Sequence, residues 1–164
     1  MKKNIAILGF DTNLCDAVAE KLSANLGMFF LGLEDLCCYH ACRKSVSEIR
    51  KGDGDDGVKK FYNKALSDFC EYENTTASGN VAFIDKGRLA KLLPTTLVIF
   101  LGSSSKALKE KGFDIKSEAD YCRQRFYKYY DIYIKTEKKT SDLVLKEVYS
   151  AVEGFFTEDT NDEV

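Results

Sequence analysis

Short, unbroken apolar runs alternate along this chain with stretches in which apolar residues recur every three to four positions. The runs Ile5–Leu8, Met28–Leu31, Val81–Ile84 and Leu97–Leu101, with the alternating Asp131–Lys135, predict strands; the unbroken ones suit strands covered on both faces. Between them, Leu14, Val18 and Leu22 share one helical stripe that ends near Asn25–Gly27. Leu33–Cys42 and Ser45–Ile49 read as short helices, the second opened by a capping box of Ser45 and Glu48. Lys51–Gly57 reads as a flexible acidic turn, and Val58–Tyr72 as a helix carrying Phe61, Ala65 and Phe69. Glu73–Gly79 reads as a polar loop before the Val81 strand. Further helices are expected at Arg88–Leu93 (stopped by Pro94), around Lys106, over Glu118–Tyr129 and over Ser141–Phe155, where Val144, Val148, Ala151, Val152 and Phe155 line up.

Strands alternating with helices predict an α/β domain, a parallel sheet with helices on both faces. Residues 1–156 are expected to form that single domain and 157–164 an acidic disordered tail. Its ligand crevice should open at the carboxyl ends of the strands, beside Gly9. The net charge of −2 gives no reason to expect nucleic acid or an anionic membrane surface as partner. No apolar run approaches the ~20 residues of a membrane span, and the apolar stretch after Met1-Lys2-Lys3 is too short for a signal peptide. Six cysteines at irregular spacing read as reduced thiols, which places the chain in the cytoplasm.

Candidate chemistry begins where the first strand meets Gly9. A strand, a glycine turn and a helix start frame a phosphate-binding loop, which needs G-x-x-x-x-G-K-[ST]. Here the eight residues are Gly9-Phe10-Asp11-Thr12-Asn13-Leu14-Cys15-Asp16: the first glycine is kept, while Leu14, Cys15 and Asp16 replace the second glycine, the lysine and the magnesium hydroxyl. Losing the lysine and adding Asp11 and Asp16 reverses the local charge. Two charges ~4 Å apart interact by about 4 kcal/mol at an effective dielectric of ~20, so two such reversals rival the ~8 kcal/mol of micromolar binding. Asp11, Thr12 and Asn13 read as helix caps, with Asp16 set against the helix dipole. Cys15, at a helix N-terminus, is a candidate low-pKa thiol. Cys37, Cys38, His40 and Cys42 lie within six residues, but a zinc site wants a second ligand pair, and only the isolated Cys70 and Cys122 remain. Cys37, Cys38, Cys42 and Cys70 are therefore expected as small core or near-core residues without metal, and His40 has no evident partner. The aromatic stretch Tyr121–Tyr133, with Arg123, Arg125 and Lys128, reads as helix packing with a solvated basic face rather than a base-stacking surface.

In register, the chain resembles the shikimate kinase family. Gly9-Phe10, Val18, Leu22, Leu26-Gly27-Met28, Phe30 and Leu33-Glu34-Asp35 fall without a gap on that family's G-F-M-G-x-G-K-[ST]-T-V…L…L-G…F-x-D-x-D pattern. Ser45–Ile49, Leu97–Leu101 and Asp131–Thr136 match its later elements. The resemblance implies a P-loop-kinase-like five-stranded parallel sheet of order 2-3-1-4-5. It places the family's magnesium-associated aspartate on Gly32, its shikimate-binding aspartate on Glu34 and its carboxylate-gripping arginine on Lys59. The family's triple-glycine turn falls on Asp85-Lys86-Gly87 or on Ser78-Gly79-Asn80, and no Arg-Pro-Leu lid follows Leu101. The implied protein is a catalytically inactive shikimate-kinase-like binding or regulatory module without cofactor or metal. The alternative is a divergent shikimate kinase that uses ATP and Mg to phosphorylate the shikimate 3-hydroxyl. Gly9, Asp11, Thr12, Asn13, Leu14, Cys15 and Asp16 are the vestigial phosphate loop. Glu34 and Lys59 are a vestigial substrate site, fit at most for a small polar ligand such as a hydroxy acid. The partner is a protein or a small molecule that the sequence does not name, and neither does it give the oligomeric state.

Overall fold

A computed structural model describes residues 1–113 and 129–159. β1 (Asn4–Gly9) is buried along its whole length, and its alternating side chains separate two cores. Ile5 and Ile7 point to a cluster with Val18, Leu22, Val144 and Val148, on α1 (Thr12–Leu26) and α6 (Ser141–Asp159). Ala6 and Leu8 point the other way, to Leu33, Ile49, Tyr62, Phe69 and Leu92. Those residues come from α2 (Leu33–Ala41), α3 (Val46–Phe69) and α4 (Lys86–Leu92). With β2 (Phe29–Gly32), β3 (Thr75–Asn80), β4 (Thr96–Gly102) and β5 (Ile132–Lys135), β1 builds a five-stranded parallel sheet of order β2-β3-β1-β4-β5. The order reverses between β1 and β4, so the crevice lies at the carboxyl ends of these two strands. α5 (Ser105–Glu110) follows β4.

Local signals set most element ends. Gly27 closes α1 with φ 66°, where glycine avoids the Cβ penalty, and the Met28 N–H reaches back to the Ser23 carbonyl at 2.9 Å. Ser45 caps α3 by accepting from the Glu48 N–H at 3.2 Å, and the Glu48 carboxylate accepts from the Lys44 N–H at 3.0 Å. The box thus closes one residue earlier than the usual pattern.

Three expectations are corrected. The third strand is not Val81–Ile84 but the polar Thr75–Asn80; Val81–Phe83 is a single 3₁₀ turn after it. Small polar residues suit this strand because it is buried between α1 and α2, and its hydroxyls find partners: Thr75 Oγ1 donates to the Glu73 carbonyl at 3.1 Å and Ser78 Oγ to Asp16. Lys51–Gly57 is not a free turn but part of α3, which kinks at Gly54 (φ 69°) and is braced across the kink by Arg50 Nε on Asp55 Oδ1 at 2.7 Å. Residues 157–159, expected in a disordered tail, complete α6; residues 160–164 lie outside the described residues. The helix expected over Glu118–Tyr129, and with it Cys122, Arg123 and Arg125, also falls outside them, except for Tyr129.

Candidate functional site

At the carboxyl end of β1, Gly9 is required by packing. A Cβ there would lie 2.7 Å from the Leu101 carbonyl oxygen and 3.0 Å from Cys15 Sγ. Only Phe10 and Asp11 separate Gly9 from the first residue of α1, Thr12. Residues 12 and 13, which a phosphate loop would leave non-helical to wrap its ligand, are already in the helix. The first turn closes on itself: the Thr12 N–H donates to the Phe10 carbonyl at 3.1 Å, Asp11 Oδ1 accepts from the Leu14 N–H at 3.1 Å, and the Cys15 N–H donates to the Asp11 carbonyl at 3.0 Å. Asp11 Oδ2 is paired with Lys111 Nζ at 3.1 Å, so the carboxylate at the positive end of the helix dipole has its own counter-ion. Asn13 is exposed, and Thr12 Oγ1 accepts from Asn80 Nδ2 at 3.4 Å.

Asp16 does not serve the dipole. Its carboxylate accepts from the Ser78 hydroxyl on β3. Burial pushes its pKa up, Asp35 and Glu20 push the same way, and the Ser78 hydrogen bond opposes them. Glu34, in the first turn of α2, is likewise pushed up by burial first and then by Asp16 and Asp35. The structure thus gathers Asp16, Glu34 and Asp35 at the β2–β3 end of the cleft. Asp35 folds back over Gly32, where a Cβ would meet its Oδ2 at 2.8 Å. Lys59 does not join them: it is exposed on α3, and the charges that act on Glu34 are those of Asp16 and Asp35. Among the described residues, no group of three His, Cys, Asp or Glu side chains could hold a metal ion.

Gly79, near the end of β3, is likewise required by packing. A Cβ there would meet Leu33 Cδ1 at 2.8 Å and the Tyr62 hydroxyl at 3.1 Å, and that hydroxyl accepts from the Asn80 N–H at 2.6 Å. Of the two placements for the glycine turn after the third strand, Ser78-Gly79-Asn80 ends β3, while Asp85-Lys86-Gly87 opens α4, with Asp85 as its cap. On the β4–β5 side, Glu137 Oε1 accepts from the Ser104 N–H at 2.5 Å at the start of α5. That bond holds its pKa below the usual carboxylate range, with help from Lys135 and Lys138.

The cysteines depart from expectation in both directions. Cys15 is fully buried in the α1–α6 core, and burial, with Asp11 and Asp16 beside it, pushes its thiol far up, so it is no nucleophile at the helix end. Cys37 is buried, its thiol pushed up to about 12, chiefly by burial. Cys42 and Cys70, expected near the core, are exposed. His40, which the sequence leaves unpaired, meets Asp68 Oδ2 through Nε2 at 2.5 Å, tying α2 to the end of α3. Lys111 and Glu137 escaped sequence reasoning because each reaches a partner far along the chain, and no local spacing marks such pairs.

No protein-family model matches this chain, and no curated protein sequence matches it either. Solved structures do. A shikimate kinase from Aquifex aeolicus VF5 superposes with a TM-score of 0.80 at 23% identity, over 94% of this chain and 98% of that one. A shikimate kinase from Acinetobacter baumannii, solved in complex with shikimate, gives 0.72 at 13% identity over 94% and 95%. A gluconokinase from Sinorhizobium meliloti 1021 gives 0.58 at 12% identity over 98% and 97%. Strand order and these superpositions agree: the chain has the shikimate-kinase-like P-loop kinase fold.

Proposed function

We propose that this chain is a catalytically inactive member of the kinase-like fold, a binding or regulatory module that uses no nucleotide and no magnesium. The observation that carries this reading is the closed first turn of α1. A phosphate cradle needs free N–H groups on a non-helical loop, and here the loop is two residues long, with its helix end occupied by the Asp11 carboxylate and Lys111. Phosphoryl transfer rests almost entirely on positioning and charge stabilisation by lysine, metal and arginine. At the matching positions stand a buried Cys15 and an Asp16 bound to Ser78. What remains at the β2–β3 end is acidic and suits a small polar ligand with hydroxyl or cationic groups, or a protein partner, better than an anion. No described helix is long and apolar enough to cross a membrane, and the proposed setting is the cytoplasm.

Titration calorimetry with Mg-ATP, followed by a coupled turnover assay with shikimate, tests the reading. No heat of binding and no turnover above blank are expected. A micromolar Mg-ATP site, or phosphorylation of the shikimate 3-hydroxyl, would overturn it and make the chain a divergent shikimate kinase.

A further inference from the structure

Next to the β2–β3 end of the cleft, the β2 edge of the sheet carries features that the fold leaves unused. Phe29 is 72% exposed, Phe30 38% and Tyr39, on the adjoining α2, 76%. Aromatic side chains so displayed are enriched at protein interfaces rather than on free surfaces. The Phe29 N–H donates to the Asn74 carbonyl at 2.9 Å, which fixes the alternation of the strand. Phe29 and Leu31 turn their backbone groups toward β3, so Phe30 turns its N–H and C=O outward. The strand Phe29-Phe30-Leu31-Gly32 carries no lysine or proline of the kind that usually blunts such an edge.

Charge says what covers it. α2 starts where β2 ends and packs back over β2 and β3, so its N-terminal acids lie at the carboxyl end of the strand. Glu34 and Asp35 stand there beside Asp16, three carboxylates together. Arg43 and Lys44 lie just past the other end of α2, and neither side chain has an ion-pair partner among the described residues. One face thus carries an unneutralised acidic end and an unneutralised basic end, along the direction of its free strand. That pattern is complementary to an inverted copy of itself.

We infer that this face is the interface of a symmetric homodimer, with β2 of two copies antiparallel about a two-fold axis through Phe30. The outward N–H and C=O of Phe30 then exchange two hydrogen bonds with those of Phe30 in the second copy, Phe29 faces Leu31, and the basic end of each α2 faces the acidic end of the other. The three exposed aromatics offer roughly 300–450 Å², against about 800 Å² per partner in a standard interface. The association is therefore weak and concentration-dependent.

Sedimentation velocity on the full chain, from about 1 to about 200 µM, reads it directly. The wild type is expected to pass from monomer to dimer across this range. Phe29→Lys, at a position too exposed to disturb folding, should weaken association by at least about ten-fold. Asp35→Lys and Arg43→Glu should each weaken it by about ten-fold, and the double variant should recover to within about three-fold of wild type. A monomer at every concentration, a dimer indifferent to Phe29→Lys, or a double variant no better than its singles would each overturn the inference.

Discussion

Replacing Asp11 by alanine removes two interactions at once, and their sizes can be separated. The cap bond to the Leu14 N–H is the larger: losing an N-cap aspartate to alanine costs about 1 kcal/mol. The Lys111 pair adds less, because the lysine side chain is 52% exposed and solvent screens it; a few tenths of a kcal/mol is the fair allowance, from a range of about 0.2–1. The total, about 1–2 kcal/mol, should lower Tm by about 2–8 °C in a chain of this size. Asp11→Asn keeps a cap acceptor and loses only the charge pair, so its Tm should fall by less than about 2 °C, as should that of Lys111→Met. Inorganic phosphate provides the sharper assay. If the carboxylate is what closes the helix end, phosphate should raise the Tm of Asp11→Ala and leave the wild type unchanged, since only the variant frees an N–H beside Lys111. Differential scanning fluorimetry over a phosphate series decides it. Equal phosphate shifts in both proteins, or an Asp11→Ala loss no larger than that of Lys111→Met, would refute the argument that Asp11 stands in for an anion.

The remaining expectations concern packing, protonation and thiol access. Gly9→Ala drives a Cβ to within 2.7 Å of the Leu101 carbonyl oxygen and should cost about 1–3 kcal/mol, read from urea midpoints. Glu34 is pushed up in the folded chain, so its protonated form contributes stability that is fully present below the ordinary carboxylate pKa of ~4.3 and is lost as pH rises through the raised folded value. Glu34→Gln should accordingly be more stable than wild type at neutral pH, with the difference vanishing at pH ~4; no gain at neutral pH would contradict the burial and repulsion assigned to this carboxyl. In timed alkylation followed by peptide mass spectrometry, Cys42 and Cys70 should react well before Cys15 and Cys37. An early-labelled Cys15 would mean that the helix end is open.

The strands and most helices were legible because burial on both faces leaves a mark on composition. Ile5–Leu8 and Leu97–Leu101 read as strands from their apolar runs, and both are. β3 was hidden for the opposite reason. Thr75-Thr76-Ala77-Ser78-Gly79-Asn80 meets the helices on both sides with small side chains, and its hydroxyls are satisfied by Glu73 in the preceding turn, by Met28 and by Asp16, so nothing apolar announces it. The break at Gly54 was visible as glycine and acid, but not that the residues on both sides of it are helical, because Arg50 and Asp55 brace the kink only once both turns exist. Of the candidate site, Asp11 as a cap was readable from its place before an amphipathic stripe, whereas Lys111, a hundred positions away along the chain, was not.

The same contrast bears on how a nucleotide-binding frame can keep its shape without its chemistry. The sheet is held by residues on β1, β3 and β4 that pack into two cores against the helices on either side. A phosphate loop, by contrast, is a strained device: it holds N–H groups unpaired until a ligand satisfies them, and a lysine whose charge only the ligand's phosphates balance. In this chain several of the groups at these positions have found internal answers. Asp11 takes the Leu14 N–H, Lys111 neutralises Asp11, Cys15 fills core volume under Gly9, and Ser78 donates to Asp16. Each answer stabilises the unliganded state and raises the cost of admitting a phosphate. Restoring lysine at position 15 alone would bury a charge in the α1–α6 core with no ligand to receive it. Recovering a phosphate site should therefore require reopening the first turn as well, at Asp11 and Leu14 together.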